Sequence, residues 1–209
     1  VVLALALVAI GFVVAPAPRV LAGSCTSQAN GDWFTTSTWG TGCTGTGGIP
    51  ATGDSVNVAH VVTLTAAATV GAGTVTVQNG GILNLSSYVL TANTLAIGDG
   101  GEVQQGGTSG APSGTITTRS YAANSTYTFN GTQAGLTGAH PTYGNLYFAS
   151  TPGSAGTFAL NLNVAGSMTV NLGSMQEVRF ATGATSRSHN IGGNLNIQNG
   201  IVAVNNGGG

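Results

Sequence analysis

The sequence predicts an all-β chain wound as a single right-handed parallel β-helix, a β-solenoid. Three observations lead there. Short runs of alternating apolar and polar residues recur between turns rich in glycine and asparagine. Related runs repeat at offsets close to the length of one solenoid coil. No window places apolar residues at helical spacing for three turns without a glycine.

Composition narrows the class before any element is placed. Of 209 residues only 4% are charged, against about 25% in ordinary globular proteins. The cations are Arg19, Arg119, Arg179 and Arg187, and the acids are Asp32, Asp54, Asp99, Glu102 and Glu177. Hydrophobic residues make up 42% and the net charge is −1, the reverse of the apolar-poor, highly charged profile of a disordered chain. Nucleic-acid binding is excluded, because displacing counterions from phosphates takes a basic footprint and four scattered arginines make none.

The first element, residues 1–22, reads as a secretory signal. "VVLALALVAIGFVV" is continuously apolar, short for a membrane span, and is broken by Pro16 and Pro18. Val20 and Ala22 give small residues at the −3 and −1 positions of a cleavage after Ala22. A rival reading takes "LAGSC" as a lipoprotein box with Cys25 lipidated, but Ser24 and Ala22 fit it poorly. The mature chain is therefore expected outside the cell or at its surface, with no membrane span. The sequence lacks an initial Met and ends in "VNNGGG" just after a strand; truncation at both ends is expected.

Cys25 and Cys43 are the only cysteines and bracket a glycine-rich stretch. In an oxidising compartment a disulfide is the simplest outcome, two free buried thiols the alternative. A zinc site would need more ligands than these two and the distant His60 provide.

From there the strands follow in order: "SVNVAHVVTLT", "GTVTVQNGGILNL", "NTLAIGDGGEVQ", "STYTFNG", "GNLYFAS", "FALNLNV", "SMTVNL" and "GNLNIQNGIVAV". "TVTVQNGG" from Thr74 matches "TLAIGDGG" from Thr94 at an offset of 20, and "SMTVNLGS" from Ser167 matches "NLNIQNGI" from Asn194 at 27. On that alignment Val75, Val77, Leu95 and Ile97 point inward on stacked parallel strands, and Thr74, Thr76, Thr94 and Ala96 outward. Asn79, Asp99 and Asn199 take equivalent corner places, where Asn and Asp tolerate left-handed backbone and stacked amides can pair. The alternative is an antiparallel sandwich with Asn-Gly hairpins.

One long segment carries a resemblance: Gly31-Asp32-Trp33, Ser37-Thr38-Trp39, Pro50 to Gly53-Asp54, a strand with His60 ahead of Val-x-Leu, then Gly80-Gly81 and Leu83. It resembles the start of exported bacterial β-helix surface proteins and the eight-glycine extracellular domain. "YGNLYFAS" and "GGNLNIQNG" extend the likeness loosely. The resemblance implies architecture and export, not an activity. It also implies a cap and entry turn over residues 23–56, ahead of coils over 57–209. Trp33 and Trp39 would cover the apolar end of the first coil, and Pro50, Gly53 and Asp54 would turn the chain into it. The tryptophans can instead be read as a sugar-stacking platform.

Candidate chemistry is sparse. Asp32 and Asp54 are a conceivable glycosidase pair, although a Gly-Asp turn usually spends its carboxylate on nearby N–H groups. Asp99 and Glu102 in "GDGGEV" offer two carboxylates to calcium, which takes six to eight oxygens. Arg187 and His189 in "SRSHN" are similar to the basic groups of polysaccharide lyases, without an acidic cluster beside them. His60 and His140 read as single strand-edge and loop residues. No metal, cofactor or catalytic set is expected, and partners are glycans or neighbouring surface proteins.

Three functions follow in order. The first is a structural or adhesive surface module. The second is a non-catalytic part of a carbohydrate-active β-helix enzyme, a lyase or hydrolase. The third is ice binding, suggested by Thr63/Thr65, Thr74/Thr76, Thr115/Thr117 and Thr126/Thr128; their intervals of 11, 41 and 11 residues are no coil period, which places it below adhesion.

Overall fold

The computed structural model describes residues 22–106, 115–131, 141–149, 156–158, 161–172, 177–180 and 188–204. Residues 1–21 of the expected signal, His140, Arg187 and the closing glycines lie outside the described residues.

The chain winds as a parallel β-solenoid. It runs through β1 (Ser24–Thr26), β2 (Gly31–Asp32), β3 (Ser55–Val58), β4 (Val61–Thr63), β5 (Ala68–Val77) and β6 (Ile82–Asn84). β7 (Leu90–Ile97), β8 (Glu102–Gln105), β9 (Ile116–Tyr121) and β10 (Thr126–Phe129) continue the winding. Then come β11 (Thr142–Tyr143), β12 (Asn145–Ala149), β13 (Gly156–Phe158), β14 (Asn163–Val164), β15 (Met168–Asn171) and β16 (Glu177–Phe180). β17 (Asn190–Ile191), β18 (Leu195–Asn199) and β19 (Ile201–Val204) close the described part. The order β1-β3-β5-β7-β9 forms a five-stranded sheet and β2-β4-β6-β8-β10-β12-β15-β18 an eight-stranded one. Two three-stranded sheets, β11-β14-β17 and β13-β16-β19, carry the later coils, with β11 lying against β9.

Every pair of strands among the described residues is parallel, with one isolated antiparallel bridge between Ser27 and Trp39, so these strands form a solenoid and not a hairpin sandwich. β5 and β7 pair Thr74↔Thr94, Val75↔Leu95, Thr76↔Ala96 and Val77↔Ile97, the offset of 20 read from the sequence. β15 and β18 pair Met168↔Leu195 and Val170↔Ile197, the offset of 27. Val75, Val77, Leu95 and Ile97 are buried, so strand alternation alone assigned both faces correctly.

The interior is a set of columns that climb the coils. Cys25, Val56, Val75 and Leu95 make one, and Val58, Val77, Ile97 and Tyr121 another. On the eight-stranded sheet Val62, Leu83, Val103, Tyr127, Leu146 and Met168 stack in register. Beside them Gln105, Phe129, Phe148 and Val170 do the same. An aromatic cluster thus sits midway along these columns, with aliphatic residues on the coils before it and Leu146, Met168 and Val170 after it. Phe129 stacks on Phe148 at 5.3 Å, and Tyr127 meets Tyr143 edge-on at 5.4 Å. Gln105, fully buried, accepts a 2.6 Å hydrogen bond from the Tyr127 hydroxyl, which satisfies both groups.

Two expectations are corrected. Coil pairing starts before residue 57: β1 pairs with β3 (Ser24↔Ser55) and β2 with β4, so the stretch read as cap already contains a rung. A three-residue "SCT" strand is too short to show alternation. The corner residues also differ. The left-handed φ belongs to Gly80, Gly100 and Gly200, at 75°, 73° and 103°, each just after the Asn or Asp assigned to it. Glycine takes that region at no steric cost. Asn199 moreover lies on β18 opposite Asn171, at the end of an eight-stranded-sheet strand, whereas Asn79 and Asp99 sit in turns that lead from the five-stranded sheet into the eight-stranded one.

Candidate interaction face

The residues singled out around the N-terminal coil build structure. Cys25 and Cys43 form a disulfide with Cα atoms 4.7 Å apart. Trp33 and Trp39 are 1% and 2% exposed and meet edge to face at 5.1 Å. The Trp39 Nε1–H donates to the Trp33 carbonyl at 2.7 Å. Both rings are enclosed, so these two tryptophans are not a stacking platform for a sugar. Pro50 is buried, and Gly53, at φ 95°, donates its N–H to the Val70 carbonyl at 2.9 Å.

Asp54 does more than a turn residue usually does. Its fully buried carboxylate accepts from Gly23 N–H (2.8 Å), Thr44 N–H (3.0 Å), Thr44 Oγ1–H (2.7 Å) and Ala51 N–H (2.9 Å). Burial pushes its pKa up, but the hydrogen bonds from Thr44, Ala51 and Gly23 outweigh that and hold it below the usual carboxylate value. The Cys25 sulfur lies 3.4 Å from Oδ2 as a packing neighbour, since a disulfide sulfur has no proton to donate. One side chain therefore ties the first strand, the end of the disulfide loop and the entry turn together. Enclosed in this way, Asp54 cannot reach a substrate as half of a glycosidase pair. Asp32 sits on the other sheet, with Oδ1 accepting from the Phe34 N–H at 2.7 Å.

Reducing the disulfide is expected to lower stability by about 3 kcal/mol, the chain-entropy figure for a loop of this length. The check is the denaturant midpoint, which should fall while the slope rises, because the reduced unfolded chain is less compact.

His60 and His189 are also structural. His60 Nδ1 lies 2.8 Å from the Ser27 carbonyl, an acceptor only, so Nδ1 carries the proton. Ser27 Oγ accepts from the Ala59 and His60 N–H groups at 2.8 and 3.1 Å and is buried, so this Ser–His pair locks two coils and activates no nucleophile. His189 Nδ1 accepts from Leu162 N–H at 3.3 Å, and its ring packs on Phe180 at 4.7 Å. Asp99 Oδ1 accepts from Asn124 N–H at 3.2 Å, whereas Glu102 Oε1 accepts from Gln104 Nε2 (3.0 Å) and Thr128 Oγ1 (2.7 Å). The two carboxylates proposed for calcium thus serve separate protein donors. Among the described residues no three His, Cys, Asp or Glu side chains converge on a metal position.

What the fold does assemble is an outer face that sequence spacing did not show. On the five-stranded sheet the register lines up Ser24, Ser55, Thr74, Thr94 and Thr118 in one row. Thr26, Asn57, Thr76, Ala96 and Ser120 make the next. Neighbours along a row are about 4.8 Å apart, and the rows are about 6.6 Å apart. The face carries no charge and no ring. None of its hydroxyls hydrogen-bonds to another described residue, in contrast to the eight-stranded sheet, where Gln104 and Thr128 both donate to Glu102 and Asn171 donates to Tyr147 at 3.1 Å. The missed signal was positional: counting only Thr-x-Thr pairs hid the Ser-x-Asn, Thr-x-Ala and Thr-x-Ser pairs in the same register.

Fold and site together define a parallel β-solenoid with an uncharged hydroxyl face. Compared with family models, curated proteins and solved structures, the chain matches none.

Proposed function

We propose that the chain is an exported, cell-surface β-solenoid module with a structural or adhesive role and no catalysis of its own. The observation that carries this is the hydroxyl face: five strands hold ten outward residues in two straight rows, and all but Ala96 are polar and uncharged. Such a surface makes many weak, equivalent contacts, as adhesion requires, and converges no charged groups on one bond, as hydrolysis or elimination requires. The N-terminal segment adds support through its likeness to exported surface proteins and through a disulfide, a bond that persists in oxidising compartments.

Incubation with a panel of acidic and neutral polysaccharides, calcium included, is expected to release neither reducing ends nor unsaturated products, while the chain is retained on at least one insoluble surface. Product formation that Arg187→Ala or Asp99→Ala abolishes would replace this reading with an enzyme.

A further inference from the structure

We propose that the face of the five-stranded sheet binds ice. This deepens the adhesive reading and rests on it, naming the partner of the same face. Each chemistry that would serve another partner is missing there. A glycan that docks by stacking needs a ring, and neither row carries one. A protein partner needs apolar or aromatic anchors in pockets, and this face offers short polar side chains on a flat sheet. A nucleic acid or an anionic surface needs cations, and neither row contains one.

Ordered water fits what is present. Hydrogen-bonded hydroxyl and water oxygens lie about 2.75 Å apart, and tetrahedral geometry places second neighbours about 4.5 Å apart. Strand spacing sets successive hydroxyls of a row at about 4.8 Å, within a few tenths of an ångström of that repeat. The spacing is held by the backbone ladder, so it does not depend on mobile side chains. Threonine reinforces it, because its β-branch restricts χ1 and fixes where the hydroxyl and methyl point. Thr74, Thr76 and Thr94 are half-buried in the middle strands, Ser55 is exposed on β3, and Ser24, Thr118 and Ser120 are exposed on the edge strands β1 and β9. Each hydroxyl has one donor and two acceptor sites to offer, none of them used by another described residue.

The test grows polycrystalline ice slowly from a dilute solution of the disulfide-bonded chain and measures its concentration in the ice against an inert protein of similar mass. Recrystallisation of fine ice grains is followed in parallel, and the same preparation is applied to insoluble cellulose and chitin. The expected result is enrichment in the ice and slowed grain growth. Thr94→Tyr and Thr118→Tyr, which raise a ring above the flat face, should lose both effects. Thr169→Tyr, on the eight-stranded sheet, should keep them. Thr118 is exposed at the sheet margin, so at least one of the disruptive variants folds, as far-UV circular dichroism would show. Exclusion from ice with retention on a polysaccharide overturns ice binding and leaves the adhesive reading standing. Exclusion from ice with no retention on any surface overturns both. Enrichment that the folded Thr94→Tyr and Thr118→Tyr variants share with the native chain overturns the assignment to this face.

Discussion

Val77→Asp is expected to destabilise the solenoid by more than about 5 kcal/mol, a loss comparable to the whole stability of an ordinary domain. Val77 is fully buried, stacked between Val58 and Ile97 in one interior column. The substitution first removes the burial of a valine side chain, about 1.5 kcal/mol or more. It then places a carboxylate where the neighbours on both adjacent coils are aliphatic. No cation stands opposite to repay its desolvation. The introduced acid would have its pKa raised in the folded state, so the damage should be smallest below the unfolded value of about 3.9 and grow as pH rises from there towards the folded value. Thr76→Asp, one residue away but on the outer face, should change stability by no more than about 0.5 kcal/mol. Chemical denaturation of the pair at pH 7 and pH 3 reads both contrasts. Equal losses for the two variants would mean that the strand does not alternate inside and outside as described.

That contrast also marks how far the sequence could be read. Alternation in "TVTV" and "TLAI" told inside from outside, because a strand side chain has a period of two whatever lies around it. The offsets of 20 and 27 were legible where two coils happen to share their turn chemistry, as Gln78-Asn79-Gly80-Gly81 and Gly98-Asp99-Gly100-Gly101 do. Elsewhere the register is set by loops that differ in length. Val56↔Val75, Val75↔Leu95 and Leu95↔Arg119 step by 19, 20 and 24 residues, so no fixed period finds the hydroxyl rows. Arg119 itself continues the Leu95 column, close enough to Tyr121 to oppose the upward push that burial gives its phenol. A lone arginine between "TT" and "SY" carries no sign of that in sequence. Gln105 was equally hidden, since its place in the core depends on a hydroxyl 22 residues away. Local pattern sets the face of a residue, and only three-dimensional stacking sets its neighbours.

Asp54 leads to the second large effect, because its four donors come from three separate segments, at Gly23, Thr44 and Ala51. Asp54→Asn keeps the shape but puts an NH2 group against N–H donors, so part of the set loses its acceptor. Hydrogen bonds to a charged group contribute about 1.5–3 kcal/mol each, and a loss of about 3 kcal/mol is expected at neutral pH. The pH dependence has a fixed sign. Burial raises the Asp54 pKa, the hydrogen bonds lower it further, and the net folded value lies below the ordinary one. The stabilisation is therefore fully present above the unfolded pKa of about 3.9 and is lost as pH falls through the folded value. Native chain and Asp54→Asn should differ most at pH 5–7 and converge as the carboxylate protonates. With five carboxylates in the whole chain, this one contributes a visible share of the acid slope. The measurement is the denaturant midpoint of both proteins across the acid range, with the disulfide intact. A gap that stays constant down to pH 2 would show that the loss comes from packing around the amide, and that the charge of Asp54 is not what joins strand, loop and turn.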